Sequence, residues 1–258
     1  MLNRGLVTGV SGSRTLQFGY DVENRLTQIQ PAGATNPEET IAYDAGGALA
    51  RRTFGVASAG NARFYVGAGL TVVRSGGIDA ASAHVLVGGA VVATVSSAAV
   101  VYYHRDRLGS VVATTLEGGI PGANLRYDSY GNATEQNAVP AAEPEYGYTG
   151  GLRLSEGLVH LNARVYDPRL RRFLQADNID GRRYTYAGGD PLNSVDPSGH
   201  SPVWIDRQHD EQKTYPTLQV NCTAPTVQEA LSANVRETPL SWKFSVEGRR
   251  RQATWKRW

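Results

Sequence analysis

Few residues of this 258-residue chain stand at spacings that support chemistry, and those that do are mostly aspartates beside turn formers. Asp196-Pro197-Ser198-Gly199 and Asp177-Asn178 each place a carboxylate in or next to a turn. Asp-Pro and Asp-Asn pairs are ordinary turn formers, because the Asp side chain bonds the backbone two residues on. Two carboxylates brought close together do something else. They cannot both ionise at short range, so one holds a proton while the other activates water. Both readings stand at this stage. His104 and Asp106 are alternate residues, which on a strand share a face, and this makes them a candidate metal pair. No third ligand follows them, and a hydrogen-bonded turn accounts for them without a metal. Cys222 has no histidine near it in sequence to act as a base, and a single cysteine excludes an intramolecular disulfide. His209-Asp210 lacks ligand spacing, and there is no Gly-rich phosphate loop, Walker sequence or metalloprotease helix motif. No cofactor and no metal are expected.

The chain is long enough to bury a core, as one domain or a domain with an extension. Its net charge of +2 implies no whole-chain attraction to nucleic acid or anionic membrane. Composition breaks at Asp196-Gly199. All four tryptophans, all three lysines and the cysteine follow it, whereas 28 of the 29 glycines lie at or before Gly199. Residues 1–199 carry 17 arginines against 18 acidic residues, and the remainder carries 9 basic against 6 acidic. A break this sharp reads as a junction between two pieces of protein with different jobs. At the far end, Arg249, Arg250, Arg251, Lys256 and Arg257 interleave with Trp255 and Trp258. Such a terminus either stacks on bases and grips phosphates or is a frayed, solvated end. No run approaches the roughly 20 apolar residues of a membrane span, and no signal peptide is visible after Met1.

The elements that must position these groups read as β throughout residues 1–199. Short alternating runs are bounded by Gly, Asn, Asp and Pro, as in Val85-Leu86-Val87 before Gly88-Gly89. The clearest run is Leu158 to Tyr166, expected as one strand with Val159, Leu161, Ala163 and Val165 on one face and Asn162 and Arg164 on the other. Asp167-Pro168 then ends it. A weak repeat aligns Tyr20-Asp21 through Leu26 with Tyr43-Asp44 through Leu49, an offset right for one hairpin per unit. A unit this small must stack on its neighbours to bury an apolar face. Beyond His200 the spacing predicts a helix start over Ala224 to Leu231 and a strand over Leu240 to Val246.

Taken in order, several blocks resemble the core of the Rhs (rearrangement hotspot) family of polymorphic toxins, with its Tyr-Asp repeats. They are Tyr103-His104-Arg105-Asp106-Arg107-Leu108-Gly109-Ser110-Val111, Arg126-Tyr127-Asp128-Ser129-Tyr130-Gly131, Tyr146-Gly147-Tyr148-Thr149-Gly150 and Gly157 through Pro168. Arg172-Phe173, Asp177, Tyr184-Thr185-Tyr186, Asn193 and Asp196-Pro197-Ser198-Gly199 complete the set. Residues 1–101 resemble the family's repeats more loosely, 102–199 its repeat-associated core, and 200–258 nothing in it. The resemblance implies a mainly β fold, a section of β-shell with a C-terminal core plug, followed by a small mixed α/β or disordered tail.

The resemblance also implies a role: a core fragment of a toxin-delivery protein, with autoproteolytic release of its tail. Asp177 and Asp196 would be the aspartyl protease pair, Arg172 would steady a carboxylate, and the cut would fall at Gly199-His200. Four positions depart from the family pattern. Asn178 replaces proline, Asp180 stands at a glycine position, Arg171 replaces the glycine before Arg172-Phe173, and His200 stands where leucine is usual. The pair therefore reads either as a working dyad with a degenerate first element or as turn residues only. Implied partners are an upstream repeat shell, the tail as enclosed cargo, an immunity protein and a secretion-machine component. Nucleic acid enters only if the tail is a nuclease. The implied location is the bacterial cytoplasm, then export without a cleaved signal peptide or display at the cell surface. A non-catalytic structural or cell-surface binding module, and a small nuclease-like toxin in the tail, are the alternatives.

Overall fold

A computed structural model describes residues 7–11, 14–55, 60–137, 143–177 and 183–205. The helix and strand expected after Ala224, His209-Asp210, Cys222 and the basic terminus lie outside the described residues, as do Asn178 and Asp180. Thirteen strands form one antiparallel sheet in strict sequence order. They are β1 (Val7–Ser11), β2 (Arg14–Tyr20), β3 (Leu26–Pro31), β4 (Glu39–Tyr43), β5 (Leu49–Phe54), β6 (Ala62–Val66) and β7 (Leu70–Ser75), then β8 (Ile78–Val87), β9 (Ala90–Ser96), β10 (Val100–Arg105), β11 (Val111–Leu116), β12 (Pro121–Tyr127) and β13 (Ala133–Asn137). The mainly β expectation of short antiparallel strands and turns is what the structure has. The sheet crosses residues 101 and 102 within β10 without a break.

The repeat seen twice in sequence is a turn built four times. At Asp21, Asp44, Asp106 and Asp128 the backbone N–H of the aspartate donates to the carbonyl four residues on, at 2.8 to 3.0 Å. The side-chain Oδ1 accepts a backbone N–H from that same fourth residue, Arg25, Ala48, Ser110 or Asn132. The third residue after each aspartate has positive φ: Asn24, Gly47, Gly109 and Gly131. Only asparagine and glycine adopt that conformation cheaply, which is why these residue types recur there. Each turn also follows a register shift in its strand pair, at Gly19/Tyr20, Ala42/Tyr43, His104/Arg105 and Arg126/Tyr127. Asp106 is thus a turn former, and His104 lies beside Thr115 on the neighbouring strand, with Nε2 and Oγ1 3.0 Å apart.

A second, small sheet lies against this one: β14 (Leu152–Arg153), β15 (Val159–Leu161), β16 (Arg164–Asp167) and β17 (Arg172–Phe173). The single strand expected over Leu158 to Tyr166 is two. Asn162 takes φ of 51° and, with Ala163, reverses the chain, so that Leu161 pairs with Arg164. The two-faced pattern failed because β15 and β16 are covered on both sides and bury every residue. Leu152, Leu154, Leu158 and Val165 of this layer share a core with Leu16, Phe18, Leu26, Ile29 and Ile41 of the large sheet. Tyr148, Tyr166, Phe173 and Tyr186 form a second core beside it. Burial of that apolar area, at about 25 cal/mol per Å², holds the layers together.

Polar groups fix where the small layer sits. Glu39 is buried, pairs with Arg52 Nε and accepts the Ser155 N–H at 2.8 Å. Glu145 accepts from Tyr65 OH at 2.9 Å and Arg63 Nη1 at 3.1 Å, and its other oxygen lies 3.8 Å from His84 Nε2. Buried charges persist only where paired, so these contacts set register rather than merely adding adhesion. No helix among the described residues is long and apolar enough to cross a membrane.

Candidate functional site

The hairpin between β15 and β16 carries Arg164, and three separate segments converge on it. Its guanidinium side is buried, with the side chain 4% exposed. Nη2 lies 2.9 Å from Asp177 Oδ2 and 3.4 Å from Asp196 Oδ2, and both carboxylates are 1% exposed. Nη1 donates to the Arg183 carbonyl at 3.3 Å, and Nε donates to the Gly199 carbonyl. Beneath it, the Phe173 ring centroid is 3.7 Å from the guanidinium carbon, a cation–π contact. One arginine therefore touches both aspartates and the carbonyl of the Gly199-His200 peptide.

The same peptide is held from its nitrogen side. His200 N–H donates to Asp196 Oδ1 at 3.0 Å, and Ser198 Oγ donates to that oxygen at 3.2 Å. This turn shares two features with the four repeat turns of the large sheet. Aspartate is followed three residues later by a positive-φ glycine, Gly199 at 73°, and the fourth residue bonds Oδ1. Here, however, the turn is buried and Oδ2 faces an arginine. Asp196 is a turn former and a charged neighbour of the peptide at once. The His200 imidazole, 32% exposed, places Nδ1 3.3 Å from Asp177 Oδ1. Burial pushes the Tyr186 hydroxyl up to about 12, and the charge of Asp196 adds to the rise.

Two further strands, β18 (Ser194–Val195) and β19 (Val203–Trp204), pair across this turn. Residues 200–205 thus pack with the fold on the near side of the composition break. Gly199 sits tightly against the β15–β16 turn: a Cβ there would lie 2.2 Å from the Leu161 carbonyl oxygen and 2.9 Å from the Arg164 nitrogen. Gly199→Ala is expected to cost more than about 2 kcal/mol, since positive φ alone costs roughly 1–2 kcal/mol and the overlap adds to it. Gly33→Ala, at φ of 81° with nothing within 4 Å, isolates the strain alone. Urea unfolding of the two variants checks the difference.

Of the residues singled out in sequence, Asp177, Asp196, Gly199 and His200 meet. Arg172 does not join them. It is exposed, pairs opposite Asp167 in β17, and its guanidinium is 5.8 Å from the Tyr184 ring centroid. Strand alternation turns Phe173 inward and Arg172 outward, so Arg164 occupies the place expected of Arg172. Arg164 was legible as the one guanidinium in the run from Leu158 to Tyr166, a residue that has to find carboxylates when buried. Arg171, which stands at a glycine position, has φ of 57°, the conformation a glycine there would favour. Among the described residues no group of three or more His, Cys, Asp or Glu is arranged to hold a metal.

No family model matches the sequence. The chain is similar to the tRNA3(Ser)-specific nuclease WapA of Bacillus spizizenii, 29% identical over 214 residues. It is likewise similar to the tRNA(Glu)-specific nuclease WapA of Bacillus subtilis subsp. natto, 30% identical over 212 residues. Each match takes in 76% of this chain and 9% of the relative, so the chain spans less than a tenth of these proteins. In structure it resembles a chain of the Photorhabdus luminescens Tc holotoxin pore, with a TM-score of 0.63 and 20% identity over 76% of this chain and 10% of that one. The crystal structure of TcdB2-TccC3 gives a TM-score of 0.60 and 21% identity over 71% of this chain and 10% of that one. This second likeness concerns the fold alone.

Proposed function

We propose that this chain is the junction segment of an Rhs-type toxin protein, a section of β-shell whose small layer presents the Gly199-His200 peptide for self-cleavage. One observation carries the reading: the two halves of that peptide bond are gripped by different charged groups, the carbonyl by Arg164 and the N–H by Asp196. Arg164 Nε is placed where negative charge develops on the carbonyl oxygen during attack. Asp196 is placed to take a proton from the attacking water and return it to the departing His200 nitrogen. Asp177 holds Arg164 Nη2 from a second side, at 2.9 Å, and so fixes the guanidinium against the Gly199 carbonyl. The buried turn holds the geometry, because three neighbouring backbone atoms fix Gly199 from one side. A shell upstream, the released segment as its cargo, export from the producing cell and a protecting immunity protein are the partners this role requires.

The chain with Asp196→Asn is expected to stay whole, whereas the unaltered chain is expected to release a fragment of about 7 kDa that begins at His200. Gel analysis and N-terminal sequencing of the fragment check this. A released fragment from the Asn variant would remove Asp196 from the chemistry. A second reading rests on the names of the WapA relatives: the segment after the junction degrades tRNA. Incubating the chain with total tRNA tests it, and a pool that stays intact discards it.

A further inference from the structure

We propose that the cleft between the turns of the large sheet and the small layer binds a small monocarboxylic acid with an apolar body, its carboxylate held by Arg105. The cleft has a volume of about 860 Å³, within the range of pockets that hold small molecules and far more than an inorganic anion needs. Leu49, Leu86, Val91 and Leu152 contribute apolar wall. Such binding requires no cut at the junction, although Pro197 and Ser198 of the junction turn close one side of the cleft. Gly88 and Gly89, on the turn between β8 and β9, also line it. A Cβ at either position would meet nothing within 4 Å, so that side is open for entry.

Charge selects the ligand. Arg105 is the one formally charged residue lining the cleft, and no aspartate or glutamate joins it there. Its guanidinium donates to main-chain carbonyls, Nη1 to Gly109 at 2.8 Å and Nη2 to Val91 at 2.7 Å, while Nε is buried without an acceptor. Among the described residues no carboxylate forms an ion pair with it. The adjacent Asp106 turns Oδ1 to the Ser110 N–H instead, at 2.8 Å. Burial pulls the guanidinium below its ordinary value, as befits a cation drawn out of water with no anion beside it. Charges taken out of water are normally paired, and here the pairing anion has to come from outside. Each terminal nitrogen carries two N–H groups and spends one on a carbonyl, which leaves one on each for the two oxygens of a carboxylate. Tyr146 and His160 also line the cleft, and neither the hydroxyl nor the imidazole hydrogen-bonds another described residue. Burial holds His160 down at about 4, so at neutral pH it offers hydrogen bonding and no second positive charge. One cation balances one carboxylate, whereas a dicarboxylate or a phosphate dianion would keep an unpaired charge against apolar walls.

The probes are 4-phenylbutyrate and its uncharged amide, each titrated calorimetrically into the full chain at neutral pH. The acid is expected to bind about tenfold more tightly than the amide, the usual worth of a hydrogen bond to a charged group. Arg105→Gln is expected to abolish that preference, so that acid and amide bind alike. Tyr146→Phe removes one hydroxyl and keeps the ring against His84 and Tyr103, and it is expected to weaken the acid about threefold. An acid that binds the unaltered chain no better than its amide overturns the proposal, and this comparison stands even if Arg105→Gln fails to fold. A preference that survives Arg105→Gln, or an acid affinity unchanged by Tyr146→Phe, places the carboxylate elsewhere and overturns it too. So does inorganic phosphate that displaces the acid at equal concentration, which would mark a general anion site with no use for the apolar walls.

Discussion

Arg164→Met is expected to destabilise the chain by about 3–5 kcal/mol and, if the proposed self-cleavage operates, to stop release of the fragment, the largest effect expected of any single change at the junction. Removing the guanidinium takes a charged partner from two carboxylates that are each 1% exposed, and breaking a buried ion pair from one side is far costlier than the pair was worth. It also frees the Gly199 carbonyl and the Arg183 carbonyl and removes the contact on Phe173. Methionine matches the length of the aliphatic stem, so the loss reports the charge and its hydrogen bonds rather than a cavity. Arg164→Lys recovers little. One ammonium on a flexible stem cannot reach both carboxylates and two carbonyls that lie around a planar fork. Urea unfolding gives the stability change. The second substitution decides whether charge alone suffices: a lysine variant that cleaves normally would show that the fork geometry is not needed.

Acid loosens the seam between the two sheets, and His160 is the group that makes it do so. Its ring is buried on β15, with its centroid 6.2 Å from that of Tyr43. Burial holds the imidazole down at about 4, and the nearby charge of Arg52 adds to the fall. The unfolded chain binds the same proton near 6.5. A group pulled down on folding adds stability that is complete above the unfolded value and drains away as pH falls toward the folded one. The window here runs from about pH 6.5 to about 4, and the loss between pH 7.5 and 4.5 is about 2–3 kcal/mol. His84, lowered by burial against the pull of Glu145, acts in the same direction. Asp167, raised by burial, acts in the opposite one and moderates the slope. Urea unfolding of His160→Gln at both pH values tests the attribution. Any fixed cost of the glutamine cancels between the two, so the variant is expected to lose about 2–3 kcal/mol less than the unaltered chain.

The turns show how far sequence reaches and where it stops. Tyr-Asp followed by asparagine or glycine is a local instruction, because the aspartate bonds a backbone amide four residues away and the third residue needs positive φ. That chemistry is complete within one segment, so the β class, the hairpin spacing and the turn character of Asp196 were all legible without a structure. The same rule, read too literally, gave one strand over Leu158 to Tyr166. Alternation signals a half-exposed strand, and it carries no information where both faces are buried. The aspartates at 177 and 196 could be named from the resemblance, but not their surroundings. Whether an aspartate turn is exposed, as at Asp44, or buried against an arginine, as at Asp196, depends on segments far away in sequence. Arg164 reaches Asp177, Arg183, Asp196 and Gly199 only because the β15–β16 hairpin, the strand after it and the junction turn pack on one another. Local hydrogen bonding is written in neighbouring residues. Pairing of buried charges is decided by which distant segments exclude water together, and the tertiary structure alone supplied that.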